Sequence, residues 1–399
     1  MDGEQKNRVQ RALDGFAIEL PSWGFADTGT RFGKFFQAGS AIDIFDKIAD
    51  AAMVHQVTGC CPEMAVHVLW DFSRDTPTDD VVGAAREAGI RIGSINPNVF
   101  QDQDYKYGSV ANPDPAIRRK ALDHLLESIE LGKATGSRLI SLWFADGTNY
   151  PGQDSIRRRK KAFAEALAEC HSALSDDQVL LVEYKPFEPA FYHTDIADWG
   201  MAMCLAQTAG PKAKVLVDTG HHYSAQNIEQ IVAWLLDLDL LGGFHFNDRR
   251  YADDDLTLGS IDPYQIFRIF AEIHRFQAES KSSHAIAYMV DQSHNLKPKI
   301  EAMIQTAVLA QEYYAKASLI DWETLDVLQQ KGELVDAERV YQEAFRVDVT
   351  TALEEWRVKR GLARDPLVAF RESGYAEKIV KERSERRQRL GMTQASSYA

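Results

Sequence analysis

Chemistry-bearing side chains collect at the ends of hydrophobic runs in the second half of this chain. The run VLLVEYK (179–185) closes on Glu183 and Lys185, and KVLVDTG (214–220) closes on Asp218 with His221 and His222 just beyond. GGFHFND (242–248) carries His245 and Asp248, HAIAYMVDQ (284–292) carries Asp291, and the intervening RRYADDDLTLGS adds Asp253, Asp254 and Asp255. An Asp or Thr at such a boundary is explained by capping of free backbone N–H groups, but histidines are not. Burying unpaired carboxylates is costly unless a cation relieves them. Three or four carboxylates with one imidazole per site make a mixed O/N donor set, which suits Mn²⁺, Mg²⁺ or Co²⁺ better than the thiolate-rich sets of structural zinc. Asp218 and His221 stand one turn apart where strand becomes loop, so the pair can face one pocket and hold adjacent metals. His222 reads as structural.

Such residues converge only if the chain brings the ends of several strands together. Eight apolar runs rich in Val, Ile and Leu read as strands: 16–23, 65–71, 91–97, 138–144, 179–185, 214–220, 242–248 and 284–292. Segments of helical period separate them, among them AIRRKALDHLLESIELGKATG and DPYQIFRIFAEIHRF. Strands apolar on both faces, each followed by a helix, predict a parallel sheet with crossovers. Eight such units predict an α/β protein of the (β/α)₈ barrel class, with functional residues at the carboxyl ends of the strands. A doubly wound open sheet is the rival, but no G-x-G-x-x-G follows a strand. The predicted organisation is a barrel domain over 1–319 that includes a short N-terminal helix, and a helical extension over 320–399. The extension ends in a cluster of Arg and Lys, read either as a solvated face or as an arm that contacts a neighbouring subunit.

Composition narrows the function classes. With 399 residues, 45% hydrophobic and 26% charged, the chain is an ordinary globular protein, and its formal charge of −14 disfavours nucleic acid as a partner. No signal-peptide pattern and no apolar run of membrane-spanning length occurs, so a cytoplasmic location without membrane association is expected. The four cysteines have neither disulfide-framework nor zinc-ligand spacing, and Cys60–Cys61 reads as a buried pair.

The motifs VEYKP (Glu183, Lys185), LVDTGHH (Asp218, His221), FHFNDRRYADDD (His245, Asp253, Asp255) and the final-strand Asp291 resemble the sugar isomerases of the xylose-isomerase-like barrels. Within that group the likeness is to L-rhamnose isomerase of the broad-specificity bacterial branch. It runs through about 16–312, and the D-x-D element after the seventh strand makes it specific. The resemblance implies two divalent cations per subunit, with Mn²⁺ the expected ion and Co²⁺ or Mg²⁺ the alternatives. One would be held by Glu183, Asp218, His245 and Asp291. The second would share Asp218 as a bridge and add His221, Asp253 and Asp255. Xylose-specific enzymes usually have Glu and Asp where this chain has Asp218 and His245, a departure toward the rhamnose branch.

The implied reaction is aldose–ketose interconversion by hydrogen transfer between C1 and C2 of a small sugar. Lys185 would stabilise charge on O1, His67 would act as the ring-opening acid/base with Asp71 as its orienting partner, and Asp291 would be the base if a proton moves. Trp143, Phe100 and Asp71 are expected to contact substrate. The loop GFADTGTRFGKFFQAG (24–39) is expected to reach a neighbour's pocket with Phe32 or a nearby residue, in a homo-oligomer that is a dimer or tetramer. The rival on the same barrel is a ketose 3-epimerase, which needs two facing glutamates where this chain offers Asp291. A barrel endonuclease would want a basic face, and a non-catalytic sugar-binding barrel leaves Lys185 and His67 unexplained.

Overall fold

The computed structural model describes all residues except 28, 31–32, 73–75, 189–191, 281–284, 294–295 and 393–399. Eight parallel strands form one sheet: β1 (Leu20–Pro21), β2 (Glu63–His67), β3 (Arg91–Asn96), β4 (Leu139–Leu142), β5 (Val179–Glu183), β6 (Ala213–Asp218), β7 (Leu241–Phe246) and β8 (Ala287–Val290). The sheet closes because Glu19 bridges Met289: its N–H donates to Tyr288 O at 2.8 Å, and Val290 N–H donates to Glu19 O at 2.9 Å. The predicted (β/α)₈ barrel is therefore the observed fold.

The first strand is shorter than the predicted 16–23. Pro21 has no N–H for the ladder, and the chain turns into a 3₁₀ segment, Ser22–Phe25. Of the predicted eighth run, His284 lies outside the described residues.

After α1 (Gly3–Asp14), one crossover helix follows each strand: α2 (Ile44–Thr58), α3 (Thr78–Glu87), α4 (Pro115–Thr135), α5 (Ile156–Ala173), α6 (Trp199–Ala209), α7 (Ile228–Asp237), α8 (Pro263–Glu279) and α9 (Lys299–Ala317). The side chains of Asp43, Asp114, Ser155, Asp198, Asn227 and Asp262 cap six of these. Each cap contributes about 1 kcal/mol and sets where the preceding loop must end. The larger core lies between sheet and helices, whereas Leu181, Leu216 and Met289 form a separate cluster flanked by Leu139, Val179 and Ala287. Side chains along a strand alternate in direction, so the inward column on β5 runs Val179, Leu181, Glu183. Apolar layers thus floor the barrel beneath its acidic end. Cys60, Cys61 and Cys170 are buried, Cys204 is exposed, and all four thiols are free. Among the described residues no helix is long and apolar enough to cross a membrane.

The C-terminal helices α10 (Trp322–Lys331), α11 (Leu334–Arg346), α12 (Thr350–Lys359), α13 (Pro366–Glu372) and α14 (Tyr375–Arg389) complete the chain. Three arginines of the basic cluster on α14, Arg383, Arg386 and Arg387, are turned onto the chain's own barrel. Arg383 forks onto Asp50 of α2 with two 2.8 Å bonds, while Arg387 pairs with Asp27 at 2.5 Å and donates to Ser40 O. Asp50 is fully buried, and burial raises its carboxyl to about 6 against the pull of Arg383. Removing one member of such a pair leaves the other charged and unpaired. Arg383→Met should therefore lower the unfolding free energy by about 3 kcal/mol or more in urea titrations. Adding Asp50→Asn to that variant should recover part of the loss, and a wild-type midpoint in the single variant would contradict this account.

Candidate metal centre and sugar-sized pocket

At the carboxyl end of the barrel, the side chains from β5, β6, β7 and β8 meet. His221 Nδ1 lies 3.1 Å from Glu183 Oε1, and its Nε2 lies 3.4 Å from Asp253 Oδ2 and 3.9 Å from Asp218 Oδ2. His245 Nδ1 lies 3.3 Å from Glu183 Oε2 and 3.9 Å from both Asp218 Oδ2 and Asp291 Oδ2. Two overlapping triads result, Glu183–Asp218–His221 and Asp218–His245–Asp291, each with one donor atom per residue inside a 4.8 Å span that could hold a metal ion. Asp218 is common to both.

The unmade hydrogen bonds test whether cations fit here. Asp218 Oδ2, both ring nitrogens of His245 and Asp253 Oδ1 are buried with no hydrogen-bond partner. Leaving that many buried polar atoms unsatisfied in one spot would cost several kcal/mol, and a cation among them removes the cost. The other atoms of the same residues are held by the protein. Asp218 Oδ1 accepts from Gly220 N at 2.7 Å and from Asn247 Nδ2 at 2.9 Å. Because a carbonyl only accepts, His221 Nδ1 must donate to Tyr184 O at 3.0 Å, so in the neutral ring Nε2 is the nitrogen that would face a cation. Trp23 Nε1 donates to Asp291 Oδ1 at 2.8 Å, leaving Oδ2 toward His245. Asp218, His221 and Asp291 thus each have one atom anchored and one spare, whereas both nitrogens of His245 are spare.

Electrostatics follow the crowding. Burial would raise Glu183, but His245 and His221 beside it hold its carboxyl at about 2. Asp218 is pushed up to about 7 by burial, with His221 opposing and three neighbouring carboxylates adding to the rise. Burial works against protonated His245, yet Glu183, Asp291 and Asp218 lift it to about 9, and Asp218 and Asp253 likewise raise His221. Asp255, half-buried at a backbone φ of 47°, is raised by burial and then by Asp253, Asp291 and Asp218. Protons here do what divalent ions would otherwise do.

Beside the cluster opens a cavity of about 160 Å³, room for a single small sugar. Its acidic wall carries Glu183, Lys185, His221, His245, Asp253 and Asp291, and its other wall carries Trp23, His67, Trp70, Phe100 and Trp143. Lys185 Nζ sits 2.7 Å from Asp253 Oδ2 and 5.1 Å from the centroid of the Trp143 ring. His67 stacks on Trp70 with centroids 3.8 Å apart and meets Phe100 edge-on. Asp71 stands behind this wall: it accepts from the His67 N–H at 2.7 Å and from Ser22 Oγ, and pairs with Lys47, while the His67 ring Nδ1 faces Val68 O at 3.3 Å. Asp71 therefore supports the backbone of His67 rather than its ring. Phe32 lies outside the described residues. His222 is buried with its Nε2 2.7 Å from the Tyr184 hydroxyl, bracing the backbone that holds His221.

Sequence reasoning passed over Asn247, Trp23, Asn96 and Ser141. The signal was present for two of them: Asn247 follows His245 by two residues, and Ser141 precedes Trp143 by two, the spacing of one strand face. Gly220 is fixed by the same arrangement. A Cβ there would come within 2.7 Å of Asn247 Oδ1 and 3.1 Å of Asp218 Oδ1.

Burial lowers His67 from 6.5 to about 4. Below about pH 6.5 the unfolded chain takes up a proton that the folded chain refuses until near pH 4. The stability this group contributes is therefore complete at neutral pH and is lost as pH falls through that window. From pH 7 to 5 the loss should be about 2 kcal/mol. Urea titrations of wild type and His67→Gln at both values check it: the variant should lose less on acidification, and equal losses would refute the assignment.

The chain matches the family model described as "Xylose isomerase-like TIM barrel" over residues 62–277. A probable sugar isomerase of Rhizobium meliloti (strain 1021) is 39% identical over 384 residues, covering 94% of this chain and 88% of the relative. Another from Mesorhizobium japonicum is 39% identical over 380 residues with the same coverage. Among solved structures, an L-ribulose 3-epimerase superposes with a TM-score of 0.56 at 13% identity, covering 80% of this chain and 98% of that one, a likeness of fold.

Proposed function

We propose that this chain, which belongs to the xylose isomerase-like TIM barrel family, is a metal-dependent aldose–ketose isomerase of the L-rhamnose isomerase type with broad aldose specificity. The observation that carries the reading is the set of unpartnered donor atoms on Asp218, His245 and Asp253 beside a cavity that would take one monosaccharide. Glu183, Asp218, His245 and Asp291 would hold one divalent cation, with Asp218 shared by a second that His221, Asp253 and Asp255 complete. Mn²⁺ suits the O/N donor set, as do Co²⁺ and Mg²⁺. When bound, such ions supply Lewis acidity that polarises a sugar carbonyl and lowers the pKa of the adjacent hydroxyl.

The chain's own side chains take the remaining roles. His67 is neutral at physiological pH, and because its Nδ1–H faces Val68 O its Nε2 is the accepting nitrogen, suited to take the proton of an anomeric hydroxyl as the ring opens. Lys185, steadied by Asp253 and the Trp143 ring, stabilises negative charge developing on O1. Asp291, raised by burial and fixed through Trp23, would hold a proton that moves between C1 and C2. The aromatic wall excludes water from the reacting carbons. Phe35, Phe36, Leu69, Trp70, Tyr251 and Leu296 are exposed on the loops that follow β1, β2, β7 and β8. An apolar rim of that kind supports a homo-oligomer that covers the pocket mouth.

Chelated protein reloaded with Mn²⁺ and given a panel of aldoses, L-rhamnose included, should form ketoses, whereas the chelated form should not. Product formation at equal rates in both would sink the metal assignment. Asn247→Ala, which removes one of the two hydrogen bonds to Asp218 Oδ1, should weaken Mn²⁺ binding by about ten- to a hundredfold in calorimetry. Light scattering should give a dimer or tetramer, and a fully active monomer would overturn the oligomer proposal.

A further inference from the structure

Ser141 is inward-facing, 2% exposed, and its Oγ is buried with no hydrogen-bond partner. It lines the sugar-sized cavity, and its register opposite Leu181 puts it one layer below Glu183 on the neighbouring strand. The residues of that layer on β5, β6 and β8, Leu181, Leu216 and Met289, are apolar, so a hydroxyl without a partner is out of place there. One residue pair further along the same face, Trp143 Nε1 is likewise buried and unpartnered. Its ring is already engaged, with the Lys185 ammonium 5.1 Å over it and the Phe100 ring at 4.9 Å and 69°. The polar capacity left to Trp143 is its N–H. Two buried donors on one strand end, both lining the cavity and neither paired, describe a site for an uncharged oxygen acceptor.

We propose that the end of β4 reads a sugar hydroxyl outside the O1–O2 pair, with Ser141 Oγ as the specificity-determining contact and Trp143 Nε1 as its companion. The proposal rests on the isomerase reading above and deepens it: the substrate class is an aldose or ketose bearing a free hydroxyl at the position that meets β4. A site built to bond a hydroxyl rejects the analogue that lacks it, because the protein donors are then left unpaired.

The test compares wild type, Ser141→Ala and the nearly isosteric Ser141→Cys in the Mn²⁺-loaded form. Each is assayed for KM and kcat on one aldose and on its 3-, 4- and 5-deoxy analogues, and for calorimetric binding of the corresponding polyol. For the fully hydroxylated sugar, KM and the polyol Kd should rise about three- to tenfold in the alanine variant and less in the cysteine variant, with kcat nearly constant. The effect should vanish for one deoxy analogue, which identifies the hydroxyl. An equal loss on every analogue, or no loss on any, would overturn the proposal by showing that Ser141 serves packing or binds water only. A wild-type protein that turns over no aldose and binds no polyol would instead bring down the isomerase reading and this inference with it.

Discussion

Everything at the carboxyl end of this barrel is arranged around the charge on Asp218. Its carboxylate is fully buried and faces three other acids, Glu183, Asp253 and Asp291. Like charges this close cannot all remain ionised without compensation in a medium that screens poorly. Two imidazoles raised above their ordinary range partly answer the problem, but they leave Asp218 Oδ2 and the His245 nitrogens without hydrogen bonds. Dications placed among them would satisfy both the charge and the orphan lone pairs. The acidity of the site is thus also what would give it affinity for such ions.

Much of the surrounding structure consists of groups that hold one atom of Asp218, Asp291 and His221 so that the other stays free. Asn247 and Gly220 occupy one oxygen of Asp218, Trp23 one oxygen of Asp291, and the Tyr184 carbonyl one nitrogen of His221. Tyr184 is in turn braced by His222. These supports come from the loops and strand ends around β1, β5, β6 and β7, so the closure of the barrel through Glu19 and Met289 is a precondition for the geometry. Arg387 of α14 ties Asp27 and Ser40 on both sides of the loop after β1, extending that support to the C-terminal helices.

How much of this was legible in the sequence follows from which signals are local. Parallel strands buried on both faces announce themselves as short Val/Ile/Leu runs, so all eight were visible, and the length of β1 was misjudged only because Pro21 ends pairing inside an otherwise apolar run. Glu183, Asp218, His245 and Asp291 were legible because charge at the end of such a run has no packing explanation. Asn247 and Ser141 were missed because small neutral polar residues are common in strands. What singles them out is a hydrogen bond made in one case and left unmade in the other, and both facts exist only in three dimensions. The role of Asp71 was misjudged for the same reason: its sequence neighbourhood suggests a partner for the His67 ring, while the fold spends it on the His67 backbone, Ser22 and Lys47.

The same pocket argues between isomerisation and epimerisation. A 3-epimerase works with two glutamates facing each other across the substrate, whereas Glu183 is the single glutamate among the described residues lining this cavity. Opposite it, across the barrel, stand His67 and the indoles of Trp23 and Trp70, which carry no carboxylate. Asp291 is the nearest stand-in, but its Oδ1 is tied to Trp23 and its Oδ2 points back toward His245, within the cluster rather than across the cavity. One wall therefore concentrates charge, and the other offers an aromatic surface with a neutral imidazole. That asymmetry supports the isomerase proposed above over a reaction that must exchange protons on both faces of C3.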